Sequence, residues 1–105
     1  MNILGEVKVT FKIMPESPEV NLTEIEKHVE KILLKYGKIH EKKVEPVAFG
    51  LKAVIISMIA NEKDFTGDTE PIEEEIKKFN GVSDVSVIEV SRTMGLKDVD
   101  YSNKK

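Results

Sequence analysis

The sequence contains no cysteine and no tryptophan among its 105 residues, and its aromatic residues are four Phe and two Tyr. Without cysteine the chain can form neither a disulfide nor a thiolate site, which suits a reducing compartment, and we expect a cytoplasmic protein. The longest apolar run is Ala53–Ile56, followed by Ser57. A membrane span needs about 20 apolar residues, so we expect no membrane segment. The N-terminus also lacks the basic leader of a signal peptide.

The charge balance and the length narrow the class of protein. The chain has 19 acidic residues against 16 Lys and Arg, for a formal net charge of −3. This mild acidity argues against direct nucleic-acid binding, because such binders usually carry net positive charge. The length fits one compact domain. We expect residues 1–94 to form that domain and residues 95–105 to form a polar C-terminal tail.

The residue types that usually carry catalysis are sparse. His28 and His40 are the only histidines, and neither lies in a metal-ligand spacing. The serines do not form a nucleophile-elbow pattern, and the glycines are isolated rather than grouped into a phosphate-binding loop. We therefore expect no catalytic residues, no metal site, no cofactor and no enzymatic activity.

The first half of the chain predicts a strand, a helix and two further strands. Apolar residues alternate with polar ones over Val7–Ile13, which predicts a strand with one buried face. An apolar stripe then predicts a helix that is capped by Asn21 and ends in a left-handed turn at Gly37. Ile39–Ala48 contains a proline, which favours an edge strand. Leu51–Ala60 is apolar on both faces, which is typical of a central strand.

The second half predicts a helix over Thr69–Phe79 and a strand over Val82–Arg92. In this last strand the apolar alternation slips near Val87 and Ile88, which indicates either a bulge or two partly buried faces. The order β-α-β-β-α-β predicts an α+β fold, the ferredoxin-like sandwich. Its four-stranded antiparallel sheet would carry two helices on one face, with the first and third strands at the centre.

The connection between the second and third strands is unusual for a hairpin. Hairpin turns favour Asn, Asp and Gly, whereas Glu45–Lys52 offers Pro, Val, Ala and Phe before a single Gly. The ring of Phe49 either tucks under a helix or protrudes towards a partner. The residues alone favour tucking, although exposed aromatic side chains are common anchors of protein interfaces.

Several segments together carry a family resemblance that covers roughly residues 5–94. They are 9–16 with 19–22, then 46–53, and finally 81–92. In this order the segments resemble the exchange domain of translation elongation factor 1-beta, especially its short archaeal form. The resemblance implies a guanine-nucleotide exchange factor that promotes GDP release from the GTPase elongation factor 1-alpha. It also implies that the chain is a monomer until that GTPase is added.

The resemblance also implies residue roles. Phe49 matches the Phe of the family's Phe-Gly turn, which contacts the GTPase, and Gly50 and Lys52 belong to the same stretch. In eukaryotic relatives a lysine near the C-terminal end reaches towards the magnesium site of the GTPase. That lysine falls near Gly95 here, so Arg92 and Lys97 are the candidate substitutes.

Three alternatives share the predicted topology. An ACT-like domain that senses a small molecule or forms oligomers would carry a glycine-rich turn after the first strand, where this chain has Pro15 and Pro18. An acylphosphatase-like enzyme needs an anion-cradling loop with arginine, and Arg92 is the only arginine. RNA-recognition domains stack bases on aromatic residues of the central strands. No aromatic residue occurs on the polar face of the first strand, which consists of Glu6, Lys8, Thr10 and Lys12.

Overall fold

The computed structural model describes residues 5–61 and 68–92. The predicted tail at 95–105, which includes Lys97, lies outside the described residues. The elements along the chain are β1 (Glu6–Pro15), α1 (Leu22–Leu33), β2 (Gly37–Pro46), β3 (Lys52–Asn61), α2 (Glu70–Lys77) and β4 (Val82–Arg92). The strands form one antiparallel sheet in the order β2-β3-β1-β4. The predicted ferredoxin-like fold, with β1 and β3 at its centre, is therefore confirmed.

The core lies between the sheet and the two helices. In β1 the side chains predicted to be buried are buried, namely Val7, Val9, Phe11 and Ile13. Thr10, on the polar face, is also buried, and its hydroxyl lies 2.8 Å from that of Ser57 in the neighbouring strand. The Thr10 hydroxyl also donates to a carboxylate oxygen of Glu89 at 3.0 Å, so both buried hydroxyls have hydrogen-bond partners.

Both helices pack one apolar stripe against this core, as their spacing predicts. The buried side chains are Ile25, Val29, Ile32 and Leu33 of α1 and Ile72 and Ile76 of α2. The predicted cap of α1 is present: the Asn21 side-chain oxygen accepts hydrogen bonds from the backbone N–H groups of Thr23 at 2.9 Å and Glu24 at 3.4 Å. Neither α1 nor α2 has the length and the apolar character needed to cross a membrane.

The prediction that α1 ends in a left-handed turn at Gly37 is wrong. The helix ends at Leu33, and Gly37 is the first residue of β2, where it pairs with Ala60. A Cβ atom on Gly37 would lie 2.2 Å from the backbone oxygen of Ile59. The glycine thus permits close approach of two strands, a role that no local helix-ending pattern could reveal.

Both edge strands depart from a regular ladder. Where β4 pairs with β1, Glu89 lies opposite Thr10 and Val87 lies opposite Phe11. Ile88 is therefore the extra residue of a bulge in β4. Of the two explanations for the slipped alternation, the bulge is therefore confirmed. The other edge strand, β2, ends at Pro46 rather than at the predicted Ala48, because the residues that follow form a separate turn.

Candidate partner-binding site at the strand tip

A five-residue turn, Val47–Leu51, joins β2 to β3 and is called the tip below. The backbone N–H of Val47 donates to the oxygen of Leu51 at 2.9 Å, and the N–H of Leu51 donates to the oxygen of Ala48 at 3.1 Å. Pro46 and Lys52 pair immediately below it. These bonds hold the tip in one conformation, although it contributes no buried side chain.

Phe49 projects from the tip and is 94% exposed. Its backbone is left-handed, with φ 60° and ψ 33°, and Gly50 follows with φ 77°. The left-handed region costs a residue with a Cβ atom about 1–2 kcal/mol, and such strain is concentrated at functional sites. The expectation that this ring tucks under a helix is wrong, because the side chain is almost fully exposed. A Cβ atom added at Gly50 would meet no atom within 4 Å.

A groove lies beside the tip, and we call it the tip groove. Its volume is about 240 Å³, and its lining consists of Pro15, Ser17, Pro18, Val20, Leu22, Gly50 and Lys52. Lys52 is the only charged residue of this lining, is exposed, and makes no ion pair with the described residues. Sequence reasoning did not find the groove, because the pairing of β1 with β3 brings together segments that are distant along the chain.

The structure gathers Phe49, Gly50 and Lys52 at one end of the sheet but not Arg92. The backbone of Arg92 pairs with Val7, at the start of β1. Val54 pairs with Ile13 near the other end of β1, and Lys52 precedes Val54 by two residues, so it lies still farther from Arg92. At about 3.4 Å per residue, this separation is roughly 25–30 Å. Lys97, the other candidate cation, lies outside the described residues.

Several ionisable groups away from the tip take part in packing or in surface pairs. His28 stacks on Phe79 with ring centroids 4.5 Å apart. A hydrogen bond to Glu75 raises the pKa of Lys35, and one to Glu30 raises the pKa of Lys42. Within residues 5–61 and 68–92, no cluster of three His, Asp or Glu side chains is arranged to hold a metal ion. The almost fully exposed ring of Phe49 makes the tip a candidate for contact with a partner.

Comparison with known proteins places this site in a family. The EF-1 guanine nucleotide exchange domain matches residues 8–93, a range that includes the tip. Elongation factor 1-beta of Methanosarcina acetivorans is 41% identical over 90 residues, which cover 85% of this chain and 99% of that protein. Elongation factor 1-beta of Sulfolobus acidocaldarius is 36% identical over 87 residues, which cover 83% of this chain and 96% of that protein. The chain therefore belongs to the family of EF-1 guanine nucleotide exchange domains.

Proposed function

We propose that this protein promotes the release of GDP from elongation factor 1-alpha during translation in the cytoplasm, and that Phe49 is its principal contact with that GTPase. The observation that carries the proposal is the almost fully exposed, left-handed Phe49 at the tip of a domain from the EF-1 exchange family. An aromatic ring buries a large apolar area when it enters a partner, and aromatic side chains are enriched among the residues that dominate interface energies.

The physical basis of exchange requires no covalent chemistry from this chain. A GTPase holds its nucleotide through backbone amides, a lysine and Mg²⁺, and its switch segments order around the phosphates. A bound protein that displaces those segments weakens nucleotide binding. Because binding couplings are reciprocal, GDP and the exchange factor then weaken each other by the same factor. The bonds across the tip support this role, since a contact that is ordered before binding loses less entropy on association.

The cationic residues near the C-terminus would make a second, separate contact with the GTPase. Arg92 or Lys97 would approach the magnesium site of the GTPase, while Phe49 and Lys52 would contact a different part of it. The 25–30 Å estimated between the two ends of β1 supports two distinct contacts, because neighbouring side chains could not span that length. We expect the chain to be a monomer without the GTPase, which sedimentation would measure.

The test is the release of a fluorescent GDP analogue from preloaded elongation factor 1-alpha. Phe49→Ala should raise the concentration needed for half-maximal acceleration by about tenfold or more, because it removes the proposed anchor. Its circular dichroism spectrum should remain that of the wild type, since the ring makes no buried contact.

Leu34→Ala is the matched control. Leu34 is also an exposed apolar side chain, but it lies at the end of α1 rather than at the tip. It should leave GDP release unchanged. If Phe49→Ala and the wild type accelerate release equally at subsaturating concentration, the role proposed for Phe49 is wrong.

A further inference from the structure

We infer that Gly50 is the positioning residue of the tip: its left-handed backbone fixes the direction in which Phe49 projects towards the GTPase. This inference rests on the proposed function, because it explains how the proposed anchor is held ready for that partner. Gly50 would act through the ring of Phe49 and not through a contact of its own.

The tip contains a turn whose two central residues both have positive φ. The N–H of Leu51 donates to the oxygen of Ala48 at 3.1 Å. The two residues between them are Phe49, with φ 60°, and Gly50, with φ 77°. Positive φ at both central positions is the pattern of a type I′ turn, in which Gly, Asn and Asp dominate. Phenylalanine departs from this preference, so the glycine is the one residue of the pair that adopts the turn without strain.

Backbone conformation, and not crowding, explains the glycine at position 50. A Cβ atom there would meet no atom of the described residues within 4 Å. At positive φ a Cβ atom is nevertheless unfavourable, because it lies too close to the following carbonyl oxygen of its own chain. Gly37 provides the contrast, since a Cβ atom there would lie 2.2 Å from the backbone oxygen of Ile59. The domain therefore needs Gly37 for space and Gly50 for its φ.

The conformation of Gly50 determines whether the tip keeps its hydrogen bonds. If residue 50 moved to negative φ, the following peptide would rotate and the N–H of Leu51 would turn away from Ala48. The bond from the Val47 N–H to the Leu51 oxygen, at 2.9 Å, depends on the same placement of Leu51. Without these bonds the ring of Phe49 would lose its fixed direction. The apparent affinity for the GTPase would then fall with the population of the projecting conformation.

The test compares substitutions at position 50 that differ in size and in tolerance of positive φ. The Kd for nucleotide-free elongation factor 1-alpha is measured by calorimetry. Gly50→Asn should stay within about threefold of the wild type, because Asn is several-fold enriched in the left-handed region. Gly50→Ala should raise the Kd by about fivefold or more, because the strain of an L-residue disfavours the turn by roughly that factor. Gly50→Val should raise it further, since a β-branched residue rarely adopts positive φ.

A second measurement distinguishes positioning from direct contact with the partner. In a Phe49→Ala background, Gly50→Ala should change the Kd by less than about twofold, because no ring remains to be positioned. The inference is overturned if Gly50→Ala binds more tightly than the larger Gly50→Asn, or if Gly50→Ala weakens binding equally with and without the ring. Either result would show that the glycine serves close approach of the partner, and the proposed function would stand.

GDP release by the wild type separates this inference from the proposed function. If the wild type does not accelerate release, the proposed function is overturned. If it does, but Phe49→Ala keeps the wild-type Kd, the roles of both Phe49 and Gly50 are overturned. The circular dichroism spectra of the Gly50 variants should match the wild type, because the tip contributes no buried side chain. Gly50→Asn and Gly50→Ala keep the test valid should Gly50→Val fail to fold.

Discussion

Phe49 combines an exposed ring, which adds nothing to the stability of an isolated domain, with a backbone conformation that lowers it. Its ring is left in water, and its backbone occupies a region that is unfavourable for any residue with a Cβ atom. The ring makes no buried contact within the described part of the chain that could explain this conformation. A strained backbone conformation persists where the surrounding structure fixes it. At the tip, the backbone hydrogen bonds between Val47, Leu51 and Ala48 fix the conformation of Phe49. The residue is thus better explained by binding than by folding.

Replacement of Phe49 by glycine should separate these two contributions. Phe49→Gly should be as stable as Phe49→Ala or more stable, by up to about 1 kcal/mol, because glycine adopts a left-handed backbone without strain. Its effect on GDP release should equal that of Phe49→Ala, since both lack the ring. Urea unfolding of the two variants measures the difference. A Phe49→Gly protein clearly less stable than Phe49→Ala would show that the left-handed backbone is not strained.

At the scale of elements, one lysine connects α1 to the edge strand β2. The Lys42 ammonium lies 2.5 Å from a carboxylate oxygen of Glu30 and 3.8 Å from one of Glu26. The hydrogen bond to Glu30 is the largest cause of the raised pKa of Lys42, and the charge of Glu30 adds to it. An ion pair as exposed as this one contributes modestly to stability, and its contribution depends on pH.

The raised pKa gives the sign of the pH dependence. Lys42 stabilises the folded state fully below its ordinary pKa of 10.5, and this contribution is lost as the pH rises through the higher folded-state pKa. Lys42→Met should therefore lower the melting temperature at pH 8, and this difference should shrink as the pH is raised above 10.5. Lys38→Met is the control, because Lys38 is exposed on the same strand without an ion pair among the described residues. A destabilisation by Lys42→Met that does not shrink as the pH is raised above 10.5 would contradict this assignment.

At the scale of the whole molecule, the sheet separates two sets of candidate contacts. The tip lies at one end of the central strands, and the end of β4 lies at the other. The fold itself does not decide function, since unrelated proteins share it. The family match is what distinguishes an exchange domain from the regulatory and acylphosphatase-like alternatives.

The separation of the two ends predicts additive effects on binding. The free-energy losses of Phe49→Ala and Arg92→Ala, measured as Kd for elongation factor 1-alpha, should add within about 0.5 kcal/mol, because distant sites without shared partners behave independently. Phe49→Ala combined with Lys52→Glu provides the contrast, since these residues are close and should show coupling. A coupling above about 1 kcal/mol between Phe49 and Arg92 would show that the two ends do not act separately.

Local patterns were sufficient for the element order and most of the core. Strand and helix periods are properties of neighbouring residues. The sequence alone therefore predicted the strand at Val7–Ile13 and the helix that begins after Asn21. The resemblance likewise directed attention to Phe49, although it did not establish how the ring is placed. The bulge at Ile88 was foreseen as one of two explanations, because a slipped alternation marks an irregularity without identifying it.

Contacts between distant segments determined the remainder. Gly37 is needed because the backbone at Ile59 comes close to it, and that neighbour is not adjacent in sequence. The exposure of Phe49 depends on which segments pack beside the tip, and none of the described ones covers its ring. The tip groove exists because the antiparallel pairing of β1 with β3 brings Pro15 beside Lys52. Sequence periodicity describes one chain segment at a time, whereas a groove or a close strand approach is a relation between two segments and arises only when they pack.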